Sequence, residues 1–114
     1  MKAANSFVLV MVTTPSLVVA RKLAGAALDQ RLIACANVLP HLESHYRWKG
    51  KREMSQECLM ILKTRQTRLT QLEKLVLELH PYDTPEIITV PLESGTRRYL
   101  DWLKLETTSE RPKD

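Results

Sequence analysis

The chain contains few of the residues from which covalent and metal-dependent active sites are usually built. Its 114 residues include only two cysteines, three histidines and three glycines. Cys35 and Cys58 each lie within an apolar segment and lack the C-x-x-C spacing of metal and redox motifs. The sequence has no Gly-rich phosphate loop, no H-E-x-x-H motif and no nucleophile turn. We therefore predict that the protein is not an enzyme and that both thiols stay reduced in a reducing compartment.

Long apolar runs are also missing from the sequence. The N-terminal run of residues 7–12 is too short for a signal-peptide core followed by a cleavage site. No other run approaches the length of about 20 apolar residues that a membrane-spanning helix needs. We predict a cytoplasmic protein that has no membrane partner.

Along most of the chain there is no concentration of basic or of acidic side chains. The 17 basic and 13 acidic side chains are interspersed and give a formal net charge of +4. The exception is segment 46–52, where basic side chains surround Trp48 and could meet phosphate while the ring stacks on a base. The aromatic pattern of RNA-recognition strands is absent, and a solvated turn or a contact to a neighbouring subunit explains the same charges. We predict no nucleic-acid partner.

What the sequence does contain is a regular succession of strand and helix patterns. Residues 7–12 form a β-branched apolar run that is typical of a strand covered on both faces. Thr or Ser is predicted to cap a helix over residues 17–30, with Pro15 in its first turn. The apolar stripe of this helix consists of Val19, Ala20, Leu23, Ala24, Ala27 and Leu28.

The middle of the chain predicts a long β-hairpin. A strand pattern begins at Leu32, and beyond Pro40 the side chains alternate with period two as far as Trp48. Pro40 has no N–H to donate to a strand partner, so we expect a bulge there. After a turn at 49–51 the chain returns through 53–63, and because residues 58–62 of this segment are apolar on both sides, they predict a central strand. So long a hairpin has more apolar surface than a small domain can cover, which predicts self-assembly.

The C-terminal half continues the pattern and completes the plan of the domain. It predicts a helix over 67–80, a turn over 80–85, a strand over 86–91, a break at Ser94 and Gly95, and a helix over 99–105. The order β-α-β-β-α-β plus an extra helix is that of an α+β, ferredoxin-like domain. We predict one domain over residues 1–114, with its core over about 7–105 and a polar tail over 106–114.

Several short motifs resemble, in order and spacing, the CutA family of divalent-cation tolerance proteins. They are Val12-Thr-Thr-Pro15, Leu32-Ile-Ala-Cys-Ala-Asn-Val-Leu-Pro40, Tyr46-Arg-Trp-Lys-Gly-Lys51, Met60-Ile-Leu-Lys-Thr64, His80-Pro-Tyr-Asp-Thr-Pro-Glu86 and Tyr99-Leu-Asp-Trp-Leu103. The resemblance implies a homotrimer whose long hairpins pair with neighbouring subunits, an architecture similar to that of PII signalling proteins. It also implies a role in tolerance to copper and other divalent metals.

The resemblance suggests one metal ligand. The copper site that it implies for bacterial members uses a cysteine before the first helix and a His-His pair before the Pro-Tyr motif. The corresponding segments here are Val12-Thr13-Thr14 and Leu79-His80, so only His80 carries over as a candidate ligand for Cu(II) or another divalent metal. Alternatively, this histidine could be favoured at the C-terminal end of its helix because it interacts with the helix macrodipole. We expect that no metal is required for folding.

A second candidate site is a cleft between subunits. We predict that Trp48, Lys63, Tyr82, Glu86 and Glu93 face this cleft and suit the binding of a small polar molecule. The alternative for Glu86 and Glu93 is that they are solvated surface charges. The sequence thus leaves two functions open: a trimeric divalent-metal tolerance protein that binds metal weakly, or a PII-like module that binds a metabolite or a protein partner.

Overall fold

The computed structural model describes residues 1–108, which form a four-stranded antiparallel sheet, a small second sheet and three helices. The elements are β1 (Lys2–Ala3), β2 (Phe7–Thr14), α1 (Leu17–Asp29), β3 (Cys35–Trp48), β4 (Lys51–Arg65), α2 (Leu69–Leu79), β5 (Ile87–Pro91), β6 (Ser94–Gly95) and α3 (Arg97–Glu106). The strand order of the main sheet is β3-β4-β2-β5. The predicted α+β class and the order of the main elements are confirmed.

One face of the main sheet carries the core beneath α1 and α2. Val8, Val10 and Val12 point to the same side of β2 because strand side chains alternate, and all are buried. Met60 and Leu62 lie opposite Val12 and Val10 on β4 and are buried with them. The helices complete this cluster with Ala20, Leu23, Ala27, Leu72, Leu75 and Val76. Both helices therefore pack on one face of the sheet, and α1 does so through its predicted stripe.

Helix α1 begins after Pro15 rather than with it. Ser16 is the N-cap, with an extended backbone, and its hydroxyl accepts the backbone N–H of Val19 at 3.3 Å. The prediction that Pro15 lies in the first turn is wrong, because the proline precedes the cap. Leu28 was predicted to belong to the apolar stripe, but it lies at the edge of the stripe and is exposed.

Strands β3 and β4 form the long hairpin, and they extend the molecule to 50 × 28 × 23 Å. Strand β3 starts at Cys35 rather than at Leu32, since Leu32 is buried in the core next to the helices. Lys49 and Gly50 take positive φ angles of 50° and 80°, as a two-residue type I′ turn requires. Strand β4 lies between β3 and β2, which confirms that it is a central strand.

A β-bulge at Pro40 and His41 interrupts the pairing of β3 with β4. The register shifts between Leu39 and Leu42, and His41 takes a positive φ of 62°. The bulge predicted at Pro40 is therefore confirmed. Because it adds a residue to one strand only, it changes which side chains share a face. Before the bulge, the odd-numbered residues of β3 lie opposite the odd-numbered residues of β4. After the bulge, the even-numbered residues of β3 lie opposite the odd-numbered residues of β4.

The second face of the main sheet is covered at one end by α3. Leu100 and Leu103 of this helix pack with Phe7 in a small core. Within residues 1–108 the centre of the face remains accessible, and Ile88 and Val90 are 51% and 41% exposed. The apolar side chains of this central area are Leu9, Met11, Leu39, Leu59, Ile61, Ile88 and Val90. We call these residues the open patch.

A short ladder joins the N-terminus to the segment after β5. Lys2 lies opposite Gly95, and Ala3 lies opposite Ser94. The break predicted at Ser94 and Gly95 is therefore a paired strand. Gly95 allows close packing here, because a Cβ at this position would lie only 3.0 Å from a methyl group of Leu100.

The C-terminal end of α3 is held by two arginines. Arg31 donates its Nε–H to the Thr108 carbonyl oxygen at 2.8 Å, and Arg65 donates its Nε–H to the Thr107 hydroxyl at 2.9 Å. Thr107 is fully buried. Residues 106–108, which the sequence predicts to belong to a polar tail, are part of the folded domain. Residues 109–114 lie outside the described residues.

Candidate functional site

A groove of ≈ 690 Å³ lies where the outer part of the hairpin meets the loop between α2 and β5. The hairpin supplies aromatic and acidic side chains, and the loop supplies residues 81–84 and Glu86. The lining residues are Thr13, Ser44, His45, Tyr46, Trp48, Glu53, Glu57, Pro81, Tyr82, Asp83, Thr84 and Glu86. A cavity of this size is within the range of small-molecule sites, which are about 300–1,000 Å³.

The bulge in β3 brings the aromatic residues of the hairpin into the groove. Beyond it, Tyr46 lies opposite Glu53, and Ser44, Tyr46 and Trp48 line the groove together. This confirms that these residues share a side of the strand. Without the bulge, strand alternation would turn them toward the other face of the sheet. The groove therefore lies on the same face as the open patch.

His80 fastens the loop to the sheet beside the groove. It is the C-cap residue of α2 and is only 7% exposed. Its Nδ1 accepts the backbone N–H of Tyr82 at 3.1 Å, so the ring proton belongs on Nε2, which donates to the Thr13 carbonyl oxygen at 2.7 Å. Both ring nitrogens of His80 are thus bonded to backbone groups.

Tyr82 and Glu57 form a hydrogen bond inside the groove. The Tyr82 hydroxyl donates to Glu57 Oε2 at 3.0 Å, and the tyrosine ring lies 4.7 Å from the ring of His80. Burial of the phenol and its contact with the Glu57 carboxylate raise the pKa of Tyr82 to about 12. The phenol therefore remains a neutral hydrogen-bond donor at physiological pH.

The structure brings together only part of the predicted cleft. Trp48, Tyr82 and Glu86 line the groove, as predicted for one site. Lys63 does not, since its ammonium lies 5.7 Å from the centroid of the ring of Tyr99, a residue of α3. It is six positions along β4 from Glu57, a distance of roughly 20 Å at the usual rise of a strand.

Glu93 is also remote from the groove within one chain. It follows β5 in the link to β6, where its carbonyl oxygen accepts the backbone N–H of Ala4 at 3.0 Å. Its side chain is exposed, which agrees with the alternative of a solvated charge. The single-chain geometry therefore separates Lys63 and Glu93 from the other predicted cleft residues, and a shared cleft would need a second subunit.

The sequence-based prediction missed several acidic residues of the groove. Glu57 is the most buried of them at 9% exposure, and Glu53 and Asp83 lie on either side of the groove. A signal for Glu57 was present, since it is an acidic residue directly beside the apolar run of β4. The sequence does not show that the loop brings Asp83 and Tyr82 to the same place.

The described residues do not form a metal centre. Across residues 1–108, no group of three or more His, Cys, Asp or Glu side chains is arranged to hold a metal ion. His80 has no nitrogen free for a metal in this geometry. Its Nδ1 accepts a hydrogen bond from a backbone N–H, and its Nε2 donates one to a backbone carbonyl oxygen. The arrangement does not fit a resident ion at His80, and the prediction of a metal ligand there stays a prediction.

Comparison with known proteins gives a consistent family assignment. The family model described as CutA1 divalent ion tolerance protein matches residues 8–106. The chain is 45% identical over 98 residues to the divalent-cation tolerance protein CutA of Thermus thermophilus, covering 86% of this chain and 95% of that protein. The chain belongs to the CutA family of divalent ion tolerance proteins. The resemblance seen in its motifs is thereby confirmed.

Other members of the CutA family show how far the likeness extends. Over 98 residues the chain is 41% identical to Protein CutA of Homo sapiens, covering 86% of this chain but only 55% of the human protein. The CutA structure from Thermus thermophilus superposes with a TM-score of 0.88 at 43% identity, covering 90% of this chain and 99% of that one. CutA1 from Oryza sativa gives a TM-score of 0.89 at 38% identity, covering 94% and 98%. The shared region is therefore the whole sheet-and-helix domain.

The names of CutA relatives bear on two further predictions. The name of the Thermus protein describes divalent-cation tolerance and not an enzymatic reaction, which agrees with the prediction of a non-enzyme. A relative from Arabidopsis thaliana is named chloroplastic, and a CutA structure from Archaeoglobus fulgidus is named periplasmic. The cytoplasmic location of this chain therefore stays a prediction. No helix in residues 1–108 has the length and hydropathy needed to cross a membrane.

Proposed function

We propose that this CutA protein is a cytoplasmic homotrimer of ferredoxin-like subunits that serves divalent-metal tolerance as a ligand-binding and interaction module. The observation that carries the proposal is the open patch on the second face of the sheet. Its residues are apolar, yet nothing within residues 1–108 covers its centre. Association with another subunit would bury this apolar surface and remove it from contact with water.

The energetic argument concerns the side chains of β5 and its neighbour β2. Ile88 and Val90 are about half exposed, and they lie opposite Met11 and Leu9. Burial of apolar surface stabilises by roughly 25 cal/mol per Å², so covering several such side chains contributes several kcal/mol to association. The open patch supports association of identical subunits. The number of three subunits is taken from the family resemblance. A closed ring of subunits agrees with it, because every subunit then has the same face covered.

The ligand-binding part of the proposal rests on the groove. It combines aromatic side chains with a buried carboxylate and is large enough for a small molecule. His80, by contrast, uses both nitrogens to hold the loop. We therefore favour an indirect role in tolerance to copper and other metals, in which a metabolite or a protein partner occupies the groove as in a PII-like module.

The test of assembly is a charge placed in the open patch. Ile88→Arg would bring a guanidinium into an apolar interface, where an unpaired charge is costly. We expect sedimentation velocity to show three times the 13.1 kDa chain mass for the wild type and a much smaller species for Ile88→Arg. Val18→Arg is the matched control, since Val18 is exposed on α1, away from the patch. A wild type that stays monomeric at micromolar concentration, or a trimeric Ile88→Arg protein, would contradict the proposal.

A further inference from the structure

We propose that the tip of the long hairpin is a docking site for an acidic segment of a partner protein. The site consists of Arg47, Lys49, Lys51 and Arg52, which we call the basic tip. This inference extends the proposed interaction role to a surface outside the groove. It follows from the charge of the tip, from the missing carboxylate partners and from the side of the hairpin on which the two arginines lie.

The basic tip carries the whole net charge of the chain. Segment 46–52 contains four of the 17 basic residues and none of the 13 acidic ones. The basic and acidic residues of the rest of the chain are therefore equal in number, and the net charge of +4 equals the charge of the tip. A homotrimer would present three such tips. Charge that is gathered on one small surface steers an oppositely charged partner toward it.

The two arginines of the tip are arranged in a way that costs the isolated hairpin stability. Arg47 and Arg52 lie directly opposite each other on β3 and β4. Like charges on opposite residues of neighbouring strands destabilise the pairing. Within residues 1–108 the two guanidiniums donate a single hydrogen bond, from Arg47 Nη1 to the Gly50 carbonyl oxygen at 3.4 Å. Carboxylates bound by both guanidiniums would replace this repulsion with attraction.

No carboxylate in residues 1–108 lies within ion-pair distance of the basic tip. The ion pair on the same hairpin joins His45 to Glu43, and the other lies at the opposite end of the domain. Glu53 is adjacent to Arg52 in sequence, but it lines the groove on the other side of the strand. All four side chains of the tip are exposed. They are therefore accessible to a partner.

The arginines lie on the side of the hairpin opposite to the one by which the subunits are proposed to associate. Tyr46 and Trp48 face the groove, so strand alternation turns Arg47 and its neighbour Arg52 to the other side. This is the side on which the sheet carries α1 and α2. Arg52 also lies six positions beyond the last β4 residue that pairs with β2, or roughly 20 Å along the strand. The basic tip thus projects past both helices.

An acidic protein segment fits this surface better than a nucleic acid does. A guanidinium matches both oxygens of a carboxylate, and two neighbouring guanidiniums suit two acidic side chains that are close in sequence. Single-stranded nucleic acid is bound through stacking as well, but the ring of Trp48 lies on the groove side, away from Arg47 and Arg52. The four charges also occupy only the end of one hairpin, whereas a nucleic-acid backbone needs a basic face or stripe.

The first experiment measures the binding of a short acidic peptide to the full-length wild-type protein. The probe is hexaglutamate with blocked termini, titrated by calorimetry at low and at physiological salt. We expect binding that weakens severalfold as the salt is raised, because exposed charges are screened. Hexaglutamine is the neutral control and should not bind. No binding of hexaglutamate at low salt would overturn the proposal, and so would tighter binding of an oligothymidylate of equal charge or of phosphatidylserine vesicles.

Paired variants then assign the binding to the tip. Arg47→Gln/Arg52→Gln removes two charges, and we expect it to weaken hexaglutamate binding about tenfold. The matched control is Arg21→Gln/Lys22→Gln, which removes the same charge from exposed positions of α1 and should change the affinity less than about twofold. Equal losses in the two variants would show that the peptide responds to net charge alone and would overturn the proposal.

The stability of the tip variant checks the argument from repulsion. Arg47→Gln/Arg52→Gln should be at least as stable as the wild type in urea denaturation, because a pair of opposed like charges is removed. A marked loss of stability would contradict the repulsive pair on which the proposal rests.

Sedimentation velocity of the same samples separates this proposal from the proposed assembly. Both double variants should sediment as the wild type does. A smaller species in Arg47→Gln/Arg52→Gln would show that the tip contacts a neighbouring subunit, which would overturn the docking site and retain the association of subunits. A monomeric wild type that binds hexaglutamate through the tip would contradict the assembly and retain the docking site.

Discussion

The two faces of the main sheet are made by the same strands but serve different purposes. The face under α1 and α2 has the side chains of Val10, Val12 and Met60 almost completely buried. The second face has Ile88 and Val90 half exposed and continues into the groove. An apolar strand sequence therefore does not specify what will cover each face of the sheet. One face closes within the chain and gives stability, while the other remains available for a partner or a ligand.

The largest expected difference between the faces concerns methionine side chains of β4. Met60→Ala creates a cavity in the core and should lower the free energy of unfolding by about 2–5 kcal/mol. Met54→Ala is the matched control in the same strand, because Met54 is 57% exposed, and it should change stability by less than about 0.5 kcal/mol. Urea denaturation followed by circular dichroism measures both. Similar losses of unfolding free energy in the two variants would contradict the distinction between the covered core and the exposed hairpin.

His80 tests whether the loop beside the groove is held by hydrogen bonds or by a metal. His80→Ala removes both ring contacts and leaves the buried Thr13 carbonyl without its donor, so we expect a loss of about 1–3 kcal/mol. Calorimetric titration with Cu(II) and Zn(II) should give the same heats for this variant and the wild type. His45→Ala, at an exposed position, is the stability control. Metal binding that disappears in His80→Ala would restore the histidine as a ligand.

The smallest expected effect is a change in pH dependence at Tyr82. The pKa of this phenol is raised from 10.0 to about 12, first by burial and then by the hydrogen bond and charge of Glu57. The unfolded chain therefore loses this proton at lower pH than the folded chain. The stability that the neutral phenol contributes is complete below pH 10 and is lost as pH rises through about 12.

The measurement is thermal unfolding between pH 9 and pH 12, together with the ultraviolet titration of phenolate. Tyr82→Phe should remove the highest-pH phenol titration and flatten the fall in stability over this interval. Glu57→Gln should lower the pKa of Tyr82 but leave it above its ordinary value, because the contribution of burial remains. A Tyr82 that titrates near its ordinary value in the wild type would show that the groove is more open to water than the structure indicates.

Most of the fold was accessible from local patterns in the sequence. The apolar stripe of α1, the strand predicted at 86–91 and the bulge at Pro40 follow from side-chain periodicity and from the missing N–H of proline. Errors arose where tertiary contacts decide. Leu32 looked like a strand residue but is buried beside helices, and Ser94 looked like a break but pairs with the N-terminus.

The candidate site was only partly predictable. Trp48, Tyr82 and Glu86 are three of the five residues predicted to face one cleft, and the structure brings them to one groove. Lys63 lies beside the ring of Tyr99, six positions along β4 from Glu57, so within one chain it is separate from this groove. Glu57 was missed because its importance depends on burial by the loop, which periodicity does not report.

The sequence by itself determined the three helices, the four strands of the main sheet, the long hairpin and the family, because these depend on local alternation, capping and motif spacing. Only the tertiary structure decided which face each side chain occupies. The bulge changes the alternation of β3 once, and so Tyr46 and Trp48 face Glu57 and not the opposite side. The hydrogen bonds of both His80 nitrogens with backbone groups were likewise decided only by the tertiary structure. Such relations arise from contacts between distant segments, which no local pattern contains.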